Sequence, residues 1–182
     1  TAVLPVVRGT ATVASSAAAL DALSGGRLRL GLAPGSSPAD FAAVGVPFDQ
    51  RWSRFDDAVV ALRRERPERP LWVASWGSPA GLRRVARLGD GWLASAYNTS
   101  PEQVVSGLQV LSDELTRLRR EDRRLPCTVA TMWLHITGSR TERESTLGLL
   151  AGMLGRSGED LAGRVLVGAP EQCAGLVRAY AE

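Results

Sequence analysis

The run Ser75-Trp76-Gly77-Ser78-Pro79 holds the residue types that cradle an anion. A phosphate needs several converging N–H donors and a favourable dipole, and a helix N-terminus supplies both. Gly77 permits close backbone approach, and Ser75 and Ser78 add hydroxyl donors. Pro79 sets the start of a helix without using up a donor. The same residues also suit an ordinary capped turn between a strand and a helix, with no ligand at all. The local pattern leaves both readings open.

Few other residues offer chemistry. His135 is the only histidine. It lies near the C-terminal end of a predicted strand, an acceptable place for an acid or base. A lone strand histidine is more often satisfied by core or loop hydrogen bonds, so it is a weak catalytic candidate. Trp76 and Trp92 suit the walls of a flat ring site, or equally a core. Gly35-Ser36-Ser37-Pro38-Ala39 loosely imitates a nucleophile elbow. With no partnered histidine or acid, it reads as a turn. Cys127 and Cys173 belong to different predicted elements and, beside one histidine, build no convincing zinc site. No metal is expected. The cysteines read as two buried thiols in a reducing cytoplasm.

The bulk properties bound the class. The chain of 182 residues is 45% hydrophobic and 23% charged, which suits one globular domain over 1–182. It contains no apolar run of the roughly 18 residues that a membrane span needs. The first residue is Thr1 with no basic-then-apolar leader before it, so the true N-terminus is expected upstream. The net charge is +3, and all 22 basic residues are Arg. Those arginines are interleaved with acids, as in 116–124, and do not form the one-sided stripe that DNA requires. A basic pocket for an anionic cofactor fits better than nucleic acid.

The elements that must position these residues alternate. A β-branched strand whose end is interrupted by Pro5 is expected over 1–7, and an Ala-rich helix over 11–23 that stops at Gly25-Gly26. The segment 27–32 reads as a strand running into a turn, and 53–64 as a helix with Phe55, Val59 and Leu62 on one face. Residues 71–75 suit a buried parallel strand. Ser78, Pro79 and Gly89 then start and stop a helix, and 91–95 resumes a strand. Ser100, Pro101 and Gln103 form a capping-box pattern that opens a helix to about Arg124. A strand over 127–136, a helix from Thr141 and a short strand or extended link at 164–167 follow. Pro170 opens the last helix. This alternation without hairpins is the signature of a parallel α/β protein. No G-x-G-x-x-G follows any strand, which removes the main support for a dinucleotide fold. Periodicity does not choose between an open doubly wound sheet and a closed eight-stranded barrel.

Four stretches together resemble the luciferase-like monooxygenase superfamily. They are TAVLP with LDALSGGRLRLGLAPG (20–35), VGVPFDQRWSRFDDAVVALR (44–63), LWVASWGSPAGLRRVARLGDGWLAS (71–95) and VGAPEQCAGLVRAYAE (167–182). The resemblance implies an α/β fold of the (βα)₈ TIM-barrel type. Barrel strands one and two, and strand eight, fall outside the residues given. It also implies a flavin- or F420-dependent oxidoreductase or monooxygenase, with FMN or coenzyme F420 as cofactor. The turn Ser75, Trp76, Gly77 and Ser78 would take the cofactor's phosphate. Val3 and Leu4 would lie against its ring, beside the loop carrying Ala33 and Gly35. Several members have a non-prolyl cis peptide near that ring. Some carry a phosphate-contacting Arg in the following loop, where this chain has Pro34.

The remaining expectations come from the same resemblance and from the composition. The substrate is a small organic molecule, and reduced flavin or F420 is supplied by a reductase. Neither nucleic acid nor membrane takes part, the location is cytoplasmic, and dimerisation through barrel helices into a homodimer fits the family. Catalytic residues are unknown, His135 aside. The alternative is a non-catalytic, truncated flavin-binding homologue, or a structural partner subunit.

Overall fold

A computed structural model describes residues 2–181; Thr1 and Glu182, the outermost residues of the first and last expected elements, lie outside the described residues. The main sheet is parallel and orders β1 (Leu30–Leu32), β2 (Leu71–Ala74), β3 (Gly91–Ser95) and β4 (Cys127–Ala130) side by side. Val3 extends it by a single parallel bridge to Leu32. A second sheet joins β5 (Leu134–Ile136) to β6 (Leu166–Gly168), also in parallel. The parallel α/β expectation holds, and among the described residues the strands close no ring.

Helices cover one face of the main sheet. They are α1 (Pro5–Arg8), α2 (Thr10–Leu23), α4 (Arg51–Glu65), α5 (Pro79–Leu88) and α6 (Pro101–Arg117), while α3 (Pro38–Ala43) lies in the connection after β1, where Phe41 meets Phe48 edge to face. The C-terminal part adds α7 (Arg140–Leu154), α8 (Gly158–Ala162) and α9 (Pro170–Ala181). Alternate strand residues face the helices, as the two-residue period of a strand requires. Leu30, Leu32, Leu71, Val73, Trp92 and Ala94 join Phe55, Val59, Leu62, Leu82 and Val85 in one core. The other face carries Gly31, Trp72 and Gly91 in adjacent register.

The Trp72 ring lies across Gly91. A Cβ on that glycine would meet the indole at 2.7 Å, closer than packed carbon atoms tolerate. Overpacking of this kind typically costs about 1–3 kcal/mol. Gly91→Ala should therefore lower the urea midpoint with little change in slope. A midpoint equal to wild type would show that the ring swings aside freely.

Four expectations need correction. The strand over 1–7 shrinks to the Val3 bridge, because Pro5 takes the first position of helix α1 and has no amide to give a ladder. The strand over 127–136 is two strands in two sheets; β4 pairs with β3, whereas β5 pairs with β6. The helix expected to reach Arg124 ends at Arg117; Leu118 caps it and Arg119 turns to φ 54°, the left-handed region. The strand read over 27–32 is only Leu30–Leu32, the residues that pair with β2.

Candidate cofactor-phosphate site

The parallel register brings the C-terminal ends of β1, β2 and β3 to one edge. Val3 bridges Leu32, Leu32 pairs with Val73, and Val73 pairs with Trp92. The loops that leave this edge are 33–37, 75–78 and 96–100. Active sites of parallel α/β folds sit at such edges, because loops from several strands converge there.

Backbone accounting defines the turn after β2. The Ser75 amide donates to Leu93 O (3.2 Å) and stays in the ladder. The Gly77 amide donates to Ser75 Oγ (3.2 Å), and the Gly81 amide donates to Ser78 Oγ (3.2 Å). The amides of Trp76, Ser78 and Ala80 have no protein acceptor among the described residues. Three unpaired donors at a ten-residue helix start are a fit for a phosphate. Ser75 and Ser78 both accept from the backbone, so each keeps its own proton for an outside acceptor. Ser75 is nearly buried and shapes the turn from below, whereas Ser78 and Trp76 are exposed.

Gly77 makes the turn possible. Its φ of 86° lies in the left-handed region that side chains avoid. Behind it stand two side chains. Thr99 Cγ2 is 3.6 Å from where a Gly77 Cβ would sit, and the Trp92 ring is 3.9 Å away. Trp92 is fully buried, and its Nε1 donates to Ser75 O (3.0 Å). Of the two sequence readings for this tryptophan, the core one holds. Its other neighbour is Gly107 of α6, where a Cβ would lie 2.6 Å from the ring.

Val3, Leu4, Ala33 and Gly35 also come together. The Val3 amide donates to Gly31 O (2.8 Å), and the Ala33 amide donates to Val3 O (2.9 Å). Gly35 has φ 87°, and a Cβ there would crowd Phe41 at 2.9 Å and Leu4 at 3.5 Å. The loop therefore packs tightly on the chain before α1. No peptide bond among the described residues is cis. The three edge loops contain no Arg, so the anion would be met by amides and hydroxyls, not by a side-chain cation.

His135 stands apart from this edge. It is half exposed on β5, and its Nε2 lies 3.1 Å from Glu142 Oε1. Glu142 also accepts from the Gly138 amide (2.8 Å), which with His135 holds its carboxyl below the usual range. That pair braces the start of α7. Burial pushes the Cys127 thiol up to about 11, which keeps it from acting as a nucleophile. Among the described residues no group of His, Cys, Asp and Glu could hold a metal ion, and no helix is long and apolar enough to cross a membrane.

Sequence reasoning missed the third loop. Tyr97, Asn98 and Thr99 follow β3, and Thr99 faces the turn at Ser75–Ser78. Thr99 is fully buried, and its hydroxyl has no partner among the described residues. Tyr180 of α9 donates to the Thr99 carbonyl (2.9 Å) and also reaches Ala96 O (3.1 Å). Burial raises the Tyr180 hydroxyl to about 12, so it stays a donor at every ordinary pH. Only the capping box at Ser100 marked this loop in advance.

Residues 1–66 match the model of the family described as luciferase-like monooxygenase. Uncharacterized proteins of Mycobacterium tuberculosis (Rv0940c) and Mycobacterium bovis (Mb0965c) are each 31% identical over 110 residues, covering 48% of this chain and 38% of the relative. The chain thus spans well under half the length of those relatives. The crystal structure of monooxygenase RslO1 from Streptomyces bottropensis matches with a TM-score of 0.76 and 22% identity, over 97% of this chain and 64% of that one. The chain therefore shares the parallel α/β fold of that structure.

Proposed function

From a fold shared with luciferase-like monooxygenases, we propose that this chain forms the cofactor-phosphate side of a flavin- or F420-dependent oxidoreductase. The observation that carries the reading is the set of unpaired amides at Trp76, Ser78 and Ala80 around Gly77. These residues hold the phosphate of FMN or F420, with the Ser75 and Ser78 hydroxyls as further donors. When bound, the ring supplies hydride chemistry or, for reduced flavin, oxygen chemistry. Val3, Leu4, Ala33 and Gly35 form the wall beside the ring. Their close packing fixes its position, which is most of what a protein contributes to such chemistry. A small organic substrate and a reductase that supplies reduced cofactor complete the scheme.

One observation favours a second reading, binding without catalysis by this chain's own groups. The three edge loops have no ionisable side chain except Tyr97, and His135 is engaged on another sheet. Titration with FMN and with F420, followed by absorbance and tryptophan fluorescence, tests the common element. Saturable binding of one supports it; binding of neither overturns both readings. Turnover with reduced cofactor and oxygen then separates them.

A further inference from the structure

The loop after β3 is tied to the main sheet by the Ala96 amide, which donates to Ala130 O (3.0 Å), and is otherwise gripped by the C-terminal part of the chain. Tyr180 donates its single proton among the carbonyls of Thr99 (2.9 Å), Ala96 (3.1 Å) and Arg164 (3.4 Å). Arg156 donates to Asn98 Oδ1 (3.1 Å) while paired to Asp160 (2.6 Å). Tyr97 meets Trp133 edge to face, with ring centroids 5.6 Å apart. Arg164 reaches Gln103 Oε1 (2.9 Å), the atom that accepts from the Ser100 amide in the capping box. The loop's own bonds are local: the Asn98 and Thr99 amides both return to Ser95 O, at 2.9 and 2.8 Å.

Its other side faces the phosphate turn. The Thr99 methyl lies 3.6 Å from the Cβ position of Gly77, on the residue whose left-handed backbone aims the neighbouring amides. A turn of this kind needs support from behind, since its conformation is not one the chain prefers. Trp92 holds the Ser75 carbonyl, and Thr99 backs Gly77. Thr99 itself is held at its carbonyl by Tyr180.

We propose that Tyr180 is a positioning residue for the phosphate turn, acting through Thr99 on Gly77. This rests on the reading that Trp76–Ala80 binds the cofactor's phosphate. It assigns α9 a function that its sequence did not suggest, since the hydroxyl acts 81 positions away in the chain. The effect is specific to the phosphate and does not reach the ring wall at Val3, Leu4, Ala33 and Gly35.

That specificity supplies the test. Affinities of the full chain for FMN and riboflavin are compared, and in parallel those for F420 and its phosphate-free chromophore. The ratio within each pair isolates the phosphate. Tyr180→Phe should lower the ratio about three- to tenfold, the range of one net hydrogen bond, with the phosphate-free ligand bound as before. Thr99→Ser deletes only the methyl that faces Gly77, is milder for folding, and should lower the ratio in the same direction. Thermal melts confirm that each variant is folded. An unchanged ratio in either folded variant overturns the proposal. So does an equal loss for both ligands of a pair, which is what a merely structural role would give. A wild-type chain that binds the ring but does not discriminate within either pair removes the phosphate reading, and this proposal with it.

Discussion

Gly77→Asp is expected to weaken FMN or F420 binding about a hundredfold or more. Two effects add. The substitution forces a side chain onto a backbone at φ 86°, which costs about 1–3 kcal/mol wherever an L-residue is held in a disfavoured region. It also puts a carboxylate beside a group of the same sign. A Cβ alone meets no clash, because the nearest atoms to it stand 3.6 and 3.9 Å away. Gly77→Ala therefore separates the terms, since it carries the strain without the charge. Alanine should lose a few-fold to tenfold in affinity, and aspartate much more. Unchanged affinity in the aspartate variant would place the phosphate elsewhere.

The largest stability effect should come from Trp92→Ala. The ring is fully buried, touches the turn at Gly77 and the α6 backbone at Gly107, and donates to Ser75 O at 3.0 Å. Truncating a buried Trp costs about 3–5 kcal/mol, a large share of the 5–15 kcal/mol that holds a typical domain. The unpaired Ser75 carbonyl adds to that cost. Chemical denaturation should show a midpoint far below wild type. Trp92→Phe keeps most of the ring volume and loses the hydrogen bond, so it should fall between the two. A Phe variant as unstable as the Ala variant would make the hydrogen bond, not the packing, the main contribution.

Local chemistry was the part legible in the sequence. The caps at Ser78 and Ser100 involve side chains three residues from the amides they accept, and both form as the spacing dictates. The strands at 71–74 and 91–95 are short apolar runs with clear breakers on either side, and they stand within a residue of expectation. The failures were of two kinds, one local and one tertiary. TAVLPVV is rich in β-branched residues, but Pro5 starts a helix there, and a single bridge is left at Val3. Nothing in CTVATMWLHI shows that Thr131–Trp133 leaves one sheet for another, since both halves have strand composition. At the site, the Ser-Trp-Gly-Ser-Pro turn could be read because its functional groups are backbone amides with sequence-local geometry. Thr99 and Tyr180 could not, because their roles depend on contacts between distant elements.

The two tryptophans set against glycines bear on how this chain can change over generations. Trp72 covers Gly91, and Trp92 covers Gly107. At each pair one position holds all the volume and the other none. A side chain gained at 91 or 107 is tolerated only after the indole opposite it has shrunk, and a shrunken indole leaves a void that the glycine cannot fill. Each step alone is harmful, so the pairs should drift as units. Among diverging homologues, a smaller residue at position 92 should accompany a larger one at 107, and the same should hold for 72 and 91. Independent variation at either pair would show that the backbone adjusts to make room.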